Sequence, residues 1–118
     1  MSKKEPAIHE MHCQEPWFSY IRNQIKPVEG RKNTLKHQQY KVGDYIRFYH
    51  GKKNFLTMIT KINLYPSLDA YLHDVSPSTA LPYIDSFDEA KKIYLQWSTE
   101  EEIKKWGFLG IFVKVIEE

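Results

Sequence analysis

Three residues in the stretch IKPVEGRKN, Ile25 to Asn33, have types and spacing suited to chemistry: Lys26, Glu29 and Arg31. A lysine held beside an arginine in a partly dry cleft has its charged form disfavoured, which is one route to a general base at neutral pH. A carboxylate next to it could then move protons to or from a leaving group. In an extended segment Glu29 and Arg31 point to the same side, as do Lys26 and Val28. A turn at Pro27 would change that alignment and bring Lys26 towards Glu29. The same run also reads as a solvated loop, the common setting of clustered charges.

A second constellation is Tyr45, Arg47 and Tyr49 in YKVGDYIRFYHG. Aromatic faces interleaved with a cation suit base stacking and phosphate contact, although strand tyrosines more often cover a second layer of core. HEMHC, His9 to Cys13, fails as a zinc motif because its histidines are three apart rather than four. No CxxC or second His/Cys cluster exists to complete a site, so no metal is expected. Cys13 has no neighbour placed to lower its pKa and reads as a small core residue. The five glycines are scattered, which excludes a Gly-rich phosphate loop, and no serine stands beside a base.

The elements that must position these residues are legible from periodicity and caps. Ala7 to Cys13 suits a first strand. A short helix follows from EPWFSYIRNQ, with Pro16 at its first position. Trp17, Ile21 and Gln24 fall on one face of that helix with Phe18 and Ile25 beside it, giving an aromatic buried stripe. After the Val42-Gly43-Asp44 turn, Ile46 and Phe48 alternate with Tyr45, Arg47 and Tyr49, a strand with an aromatic-basic outer face. HGKKN reads as a hairpin loop, and FLTMITKINLY as a second alternating strand with Leu56, Met58, Ile62 and Leu64 on one face. Ser67 to Val75 predicts a short helix. SFDE is a capping box before Phe87, Ala90, Tyr94 and Trp97 at helical spacing. STEEEIKKWG repeats the device, with Ser98 or Thr99 as cap, acids first, lysines last, and Gly107 at the C-terminal end. FLGIFVKVI is apolar on both faces and predicts an interior strand.

The chain of 118 residues supports one domain, with 42% hydrophobic and 14% aromatic residues for a packed core. Boundaries are read as a flexible N-terminus over 1–7 and a single domain over 8–118. The formal net charge of +2 is too small to mark nucleic-acid binding by itself. One cysteine rules out an internal disulfide and fits an intracellular, cytoplasmic protein. The N-terminus has no apolar signal region, and no run is long enough to span a membrane. Strands at both ends with helices clustered between predict an α+β fold: a small barrel or curved, mixed, mostly antiparallel sheet with flanking short helices.

EPWFSYIRNQIKPVEGRKN, YKVGDYIRFYHG, ITKINLYPSLDAYL and the segment from ALPYIDSFDEA to the C-terminus together resemble the ASCH family, a branch of the PUA-like superfamily. The likeness is strongest to its short single-domain, EOLA-like members and covers roughly residues 8 to 117. Lys26, Glu29 and Arg31 match the lysine, glutamate and arginine of the motif Gly-x-Lys-x-x-Glu-x-Arg. Gln24 replaces its glycine, and Pro27 the usual threonine after the lysine. Bacterial amidohydrolases resembling this motif carry threonine where this chain has Glu29.

The resemblance implies a PUA-like barrel with a cleft lined by the Lys-Glu-Arg motif, and RNA or a modified nucleoside or nucleotide as partner. No cofactor is implied. The leading expectation is a binding module in which Trp17 or Tyr49 stacks on a base, Lys26 and Arg31 meet phosphate or exocyclic oxygen, and Glu29 accepts from a base edge; Tyr45 and Arg47 extend that surface. The alternative is a small hydrolase, of N4-acetylcytidine or of RNA, using Lys26 and Glu29. A third reading makes the motif a structural ion-pair network.

Overall fold

A computed structural model describes residues 5–117. Residues 1–4 of the expected flexible N-terminus, and Glu118, lie outside the described residues. In chain order the elements are β1 (Ile8–His12), α1 (Trp17–Arg22), β2 (Val28–Lys32), a 3₁₀ turn at His37–Gln39, β3 (Tyr45–His50), β4 (Lys53–Tyr65), α2 (Leu68–Val75), α3 (Pro77–Ala80), α4 (Phe87–Tyr94), α5 (Glu100–Trp106) and β5 (Phe108–Glu117). The strands form one mixed sheet in the order β1-β3-β4-β5-β2, parallel between β1 and β3 and antiparallel elsewhere.

This sheet is curled into a half-barrel with short helices around it. Laid flat, its edge strands would stand about 19 Å apart at ordinary strand spacing. Instead Arg31 on β2 donates from Nη2 to the His12 carbonyl at the end of β1, at 2.8 Å. The long strand β4 supplies bends through register shifts between Leu56 and Thr57 and between Ile59 and Lys61. The expected face of β4 is corrected: Phe55, Thr57 and Ile59 are the buried set, Leu56 and Met58 are half-buried, and Leu64 is exposed. The inner face keeps a period of two from Phe55 to Ile59, and the extra residue at Thr60 interrupts it beyond.

Other local expectations hold with adjustments. The hairpin is a two-residue turn, Gly51 and Lys52, with Gly51 at φ 60°. Ser86 caps α4 by accepting from Glu89 N, and at α5 it is Thr99 rather than Ser98 that forms the full box with Glu102. Acids open α5, lysines close it, and Gly107 at φ 85° ends it. The helix α1 begins one residue after Pro16 and buries Phe18 and Ile21, while Gln24 (φ 61°) and exposed Ile25 have already left it. The expected stripe of Trp17, Ile21 and Gln24 is therefore too long for this six-residue helix.

Both sheet faces are covered, which is why β5 is apolar on both sides. Within the curl, Phe18, Ile46, Phe48, Phe55 and Ile59 pack with Leu109 and Ile111. Against the other face Tyr71, Leu72, Ala90 and Ile103 pack with Val28 and Phe108. Each fully buried large side chain here contributes about 1.5–3 kcal/mol. Gly30 and Gly110 stand opposite one another across β2 and β5. A Cβ at Gly30 would lie 2.7 Å from Phe108 Cε2 and 3.1 Å from Tyr71 Oη, so the missing side chain lets these rings lie on the strand. No helix among the described residues is long and apolar enough to cross a membrane.

Candidate functional site

IKPVEGRKN is a strand, and its charges are mostly inside. Val28 to Lys32 form β2, paired with β5, with Val28 and Glu29 buried. The segment before it turns: the Tyr20 carbonyl accepts from both Ile25 N (2.8 Å) and Lys26 N (2.9 Å). That turn puts Lys26 next to Glu29, with Nζ 3.8 Å from Glu29 Oε1 and 6.0 Å from the centre of the Trp17 ring. Lys26 is 1% exposed, and its ammonium donates to the carbonyl of Ala80, the last residue of α3.

Glu29 sits between two cations. Arg31 donates to its Oε2 from Nη2 (2.8 Å) and Nε (3.2 Å), and Gly30 N donates to Oε1 at 3.2 Å. Burial alone would raise the Glu29 pKa, but Arg31 and Lys26 outweigh it and hold the carboxyl below its usual range. Burial lowers the Lys26 pKa; Glu29 opposes this, Arg31 adds to it, and the net direction is down. Arg31 loses to burial but gains more from Glu29, so it stays charged. The row thus holds two basic groups to one carboxylate. Arg31 Nη1 has no protein partner among the described residues, while Nε and Nη2 are used.

These residues floor a cleft of about 330 Å³, at the small end of ligand-sized sites. Trp17, Tyr94, Trp97 and Phe108 line it as well. Tyr94 and Tyr71 share a hydrogen bond between hydroxyls at 3.2 Å. At the rim, His37 Nδ1 pairs with the Lys32 carbonyl at 2.9 Å, and burial, with Arg31 and Lys36, lowers its pKa. Cys13 is buried with Sγ directed at Glu29 Oε2 from 4.0 Å. Burial and Glu29 push its pKa up, so it remains a thiol rather than a nucleophile.

No protein-family model and no curated protein matches the chain. Solved structures do. The crystal structure of hypothetical protein PH0355 is 33% identical with a TM-score of 0.85, over 92% of this chain and 99% of that one. The solution structure of PF0455 from Pyrococcus furiosus is 31% identical with a TM-score of 0.78, over 94% of this chain and 99% of that one. The chain belongs to the family of these two proteins. An ASCH domain from Lactobacillus crispatus JV V101 superposes with a TM-score of 0.71 at 13% identity, over 95% of this chain and 81% of that domain. The fold is therefore that of an ASCH domain.

In this ASCH-fold chain, Trp17, Lys26, Glu29 and Arg31 come together in the cleft. Tyr45, Arg47 and Tyr49 do not line it. They stand on the outer face of β3, where Arg47 donates to Asn54 Oδ1 at 2.9 Å and Tyr49 meets the edge of His12. His9 belongs to a separate anchor, donating from Nε2 to Asp44 Oδ2 at 2.8 Å and stacking on Tyr40. His12, His37, Tyr94 and Trp97 line the cleft without having been singled out for a ligand by sequence. Tyr94 and Trp97 carried only a core signal, as members of one helical stripe; α4 ends at Tyr94, leaving Trp97 beyond it and 47% exposed.

Proposed function

We propose that the cleft holds one nucleobase of RNA or of a modified nucleoside. The observation that carries this reading is the Lys26-Glu29-Arg31 row lining a small cleft together with the aromatic rings of Trp17, Tyr94 and Trp97. An aromatic lining suits a base plane, and Arg31 Nη1 suits a carbonyl or phosphate oxygen. Glu29 is held as an acceptor for a base N–H. The small net charge of the chain makes this a local recognition site rather than a broad polyanion surface.

Titration with nucleosides and short RNA, followed by Trp fluorescence, tests it. Arg31→Ala should weaken binding by roughly tenfold or more, the loss of a charged hydrogen bond, and RNA affinity should fall as salt rises. Unchanged affinity in Arg31→Ala, with a lowered melting temperature, would leave the row a purely structural network.

The hydrolytic reading is favoured by one observation, the buried amine of Lys26 with its lowered pKa beside Glu29. Neutral Lys26 would take a proton from water as the water oxygen bonds to the acyl carbon. The C–N bond would then break, the amine leaving with that proton relayed through Glu29 and the acyl group leaving as acetate. N4-acetylcytidine incubated with pure protein should then be consumed, and Lys26→Met should abolish turnover; no turnover by the wild type removes this reading.

A further inference from the structure

The cleft is too small for more than one base and its sugar, so a strand bound there must leave by a definite path. Trp17, which lines the cleft, is also the first of three rings leading outwards. Its ring centre lies 5.9 Å from that of Tyr20 at 66°, and Tyr20 lies 5.4 Å from Tyr83 at 62°. Tyr20 is half-buried and Tyr83 is 75% exposed. Tyr83 is also held at φ 72°, a backbone conformation that a bulky side chain adopts only when its surroundings impose it.

The backbone that carries Tyr20, and that just before Tyr83, is tied to the cleft through Lys26. Its backbone N–H donates to the Tyr20 carbonyl, and its ammonium donates to the carbonyl of Ala80, three residues before Tyr83. We propose that Tyr20 and Tyr83 form an exit track on which the nucleotide next to the one in the cleft stacks, making the ligand a single-stranded RNA segment rather than a free nucleoside. This rests on the nucleobase reading of the cleft. Successive rings meet at steep angles, so their faces follow a bent path that a flexible single strand can track and a stiff duplex cannot. Stacking of this kind tolerates any base, so the track adds affinity while the cleft keeps the selectivity.

The test compares the common ribonucleosides and N4-acetylcytidine with a random-sequence pentaribonucleotide, at one salt concentration, by fluorescence titration. Wild type should bind the pentamer at least about tenfold more tightly than its best nucleoside. Tyr83→Ala should lose roughly that factor for the pentamer and leave nucleoside affinity unchanged, while Tyr83→Phe retains it. Arg31→Ala should weaken both ligands. If Tyr83→Ala binds the pentamer like wild type, or Tyr83→Phe loses as much as alanine, the track is wrong while the cleft stands. A pentamer bound no more tightly than a nucleoside overturns it too. If wild type binds neither ligand, the cleft reading falls and the track with it. Tyr83 is exposed, so these variants should melt like wild type, and a melting curve for each checks this.

Discussion

Replacing Glu29 by glutamine is the sharpest test of the charge row. Glutamine keeps the volume but removes the anion that faces Lys26 at 3.8 Å and Arg31 at 2.8 Å. Deleting one partner of a buried ion pair typically costs about 3–5 kcal/mol, because the other charge is left uncompensated. Here the loss is smaller, since the Arg31 side chain is 31% exposed and can turn to water. Lys26, at 1%, cannot. About 2–3 kcal/mol is expected, a drop of about 10 °C in melting temperature for a chain of this size. The pH dependence then identifies the culprit. Lys26 has a folded-state pKa below its unfolded value of 10.5, and losing Glu29 lowers it further. Between the folded and unfolded values the unfolded chain binds the extra proton, so stability rises with pH there. Glu29→Gln should therefore recover towards wild type as pH rises from its own folded Lys26 pKa to that of the wild type. Adding Lys26→Met should restore most of the loss at neutral pH, because it removes the buried charge that Glu29→Gln leaves without its anion. Thermal melts of the three proteins across pH supply the readout. A double variant that melts no higher than the single one, or a gap that does not narrow with rising pH, would refute this account of the row.

Two other substitutions follow from the same geometry. Gly30→Ala would force a Cβ to 2.7 Å from Phe108 Cε2, so the ring must shift; a loss of about 1–3 kcal/mol and weakened ligand binding are expected, read by denaturant melts and titration. Asp44 accepts from His9 and from the backbone N–H groups of Ala7 and Lys41; burial works against its ionisation, but these hydrogen bonds hold its pKa below the usual value. Its contribution is present above the unfolded pKa of 3.8 and is lost as pH falls through the folded one. Asp44→Asn should thus lose about 1–2 kcal/mol at neutral pH, with the gap closing in acid, measured by denaturant titration.

Much of this fold was legible because its signals are local. The caps of α4 and α5 are satisfied within four residues, and the alternation of β3 survives because no bulge interrupts it. β4 misled because apolar residues stand on both its faces, Phe55 and Ile59 on one and Leu56 and Met58 on the other, so alternation alone did not choose the inner set, which also includes Thr57. α3 and the 3₁₀ turn are too short to show periodicity. The cleft divides the same way. Lys26, Glu29 and Arg31 lie within six residues, and the turn through Gln24 and Pro27 brings them into one row. Tyr45, Arg47 and Tyr49 stand on the outer face of β3 as their alternation predicts, away from this cleft. Tyr94 and Trp97 arrive from a segment far from Lys26 in sequence, so only tertiary folding could assemble them with it.

The hydrogen bond from Arg31 to the His12 carbonyl has a mechanical consequence. The rim of this half-barrel closes without a ladder: β1 and β2 each pair on one side only, and a guanidinium holds the two free margins together. Whatever occupies the cleft therefore sits on a seam, not in a pre-closed cup. A ligand that engages Arg31 would act as a second stitch, and its binding free energy would appear as protection of the β1 and β2 amides against hydrogen exchange. Opening of that seam, rather than movement of a lid, would set how fast a bound base escapes.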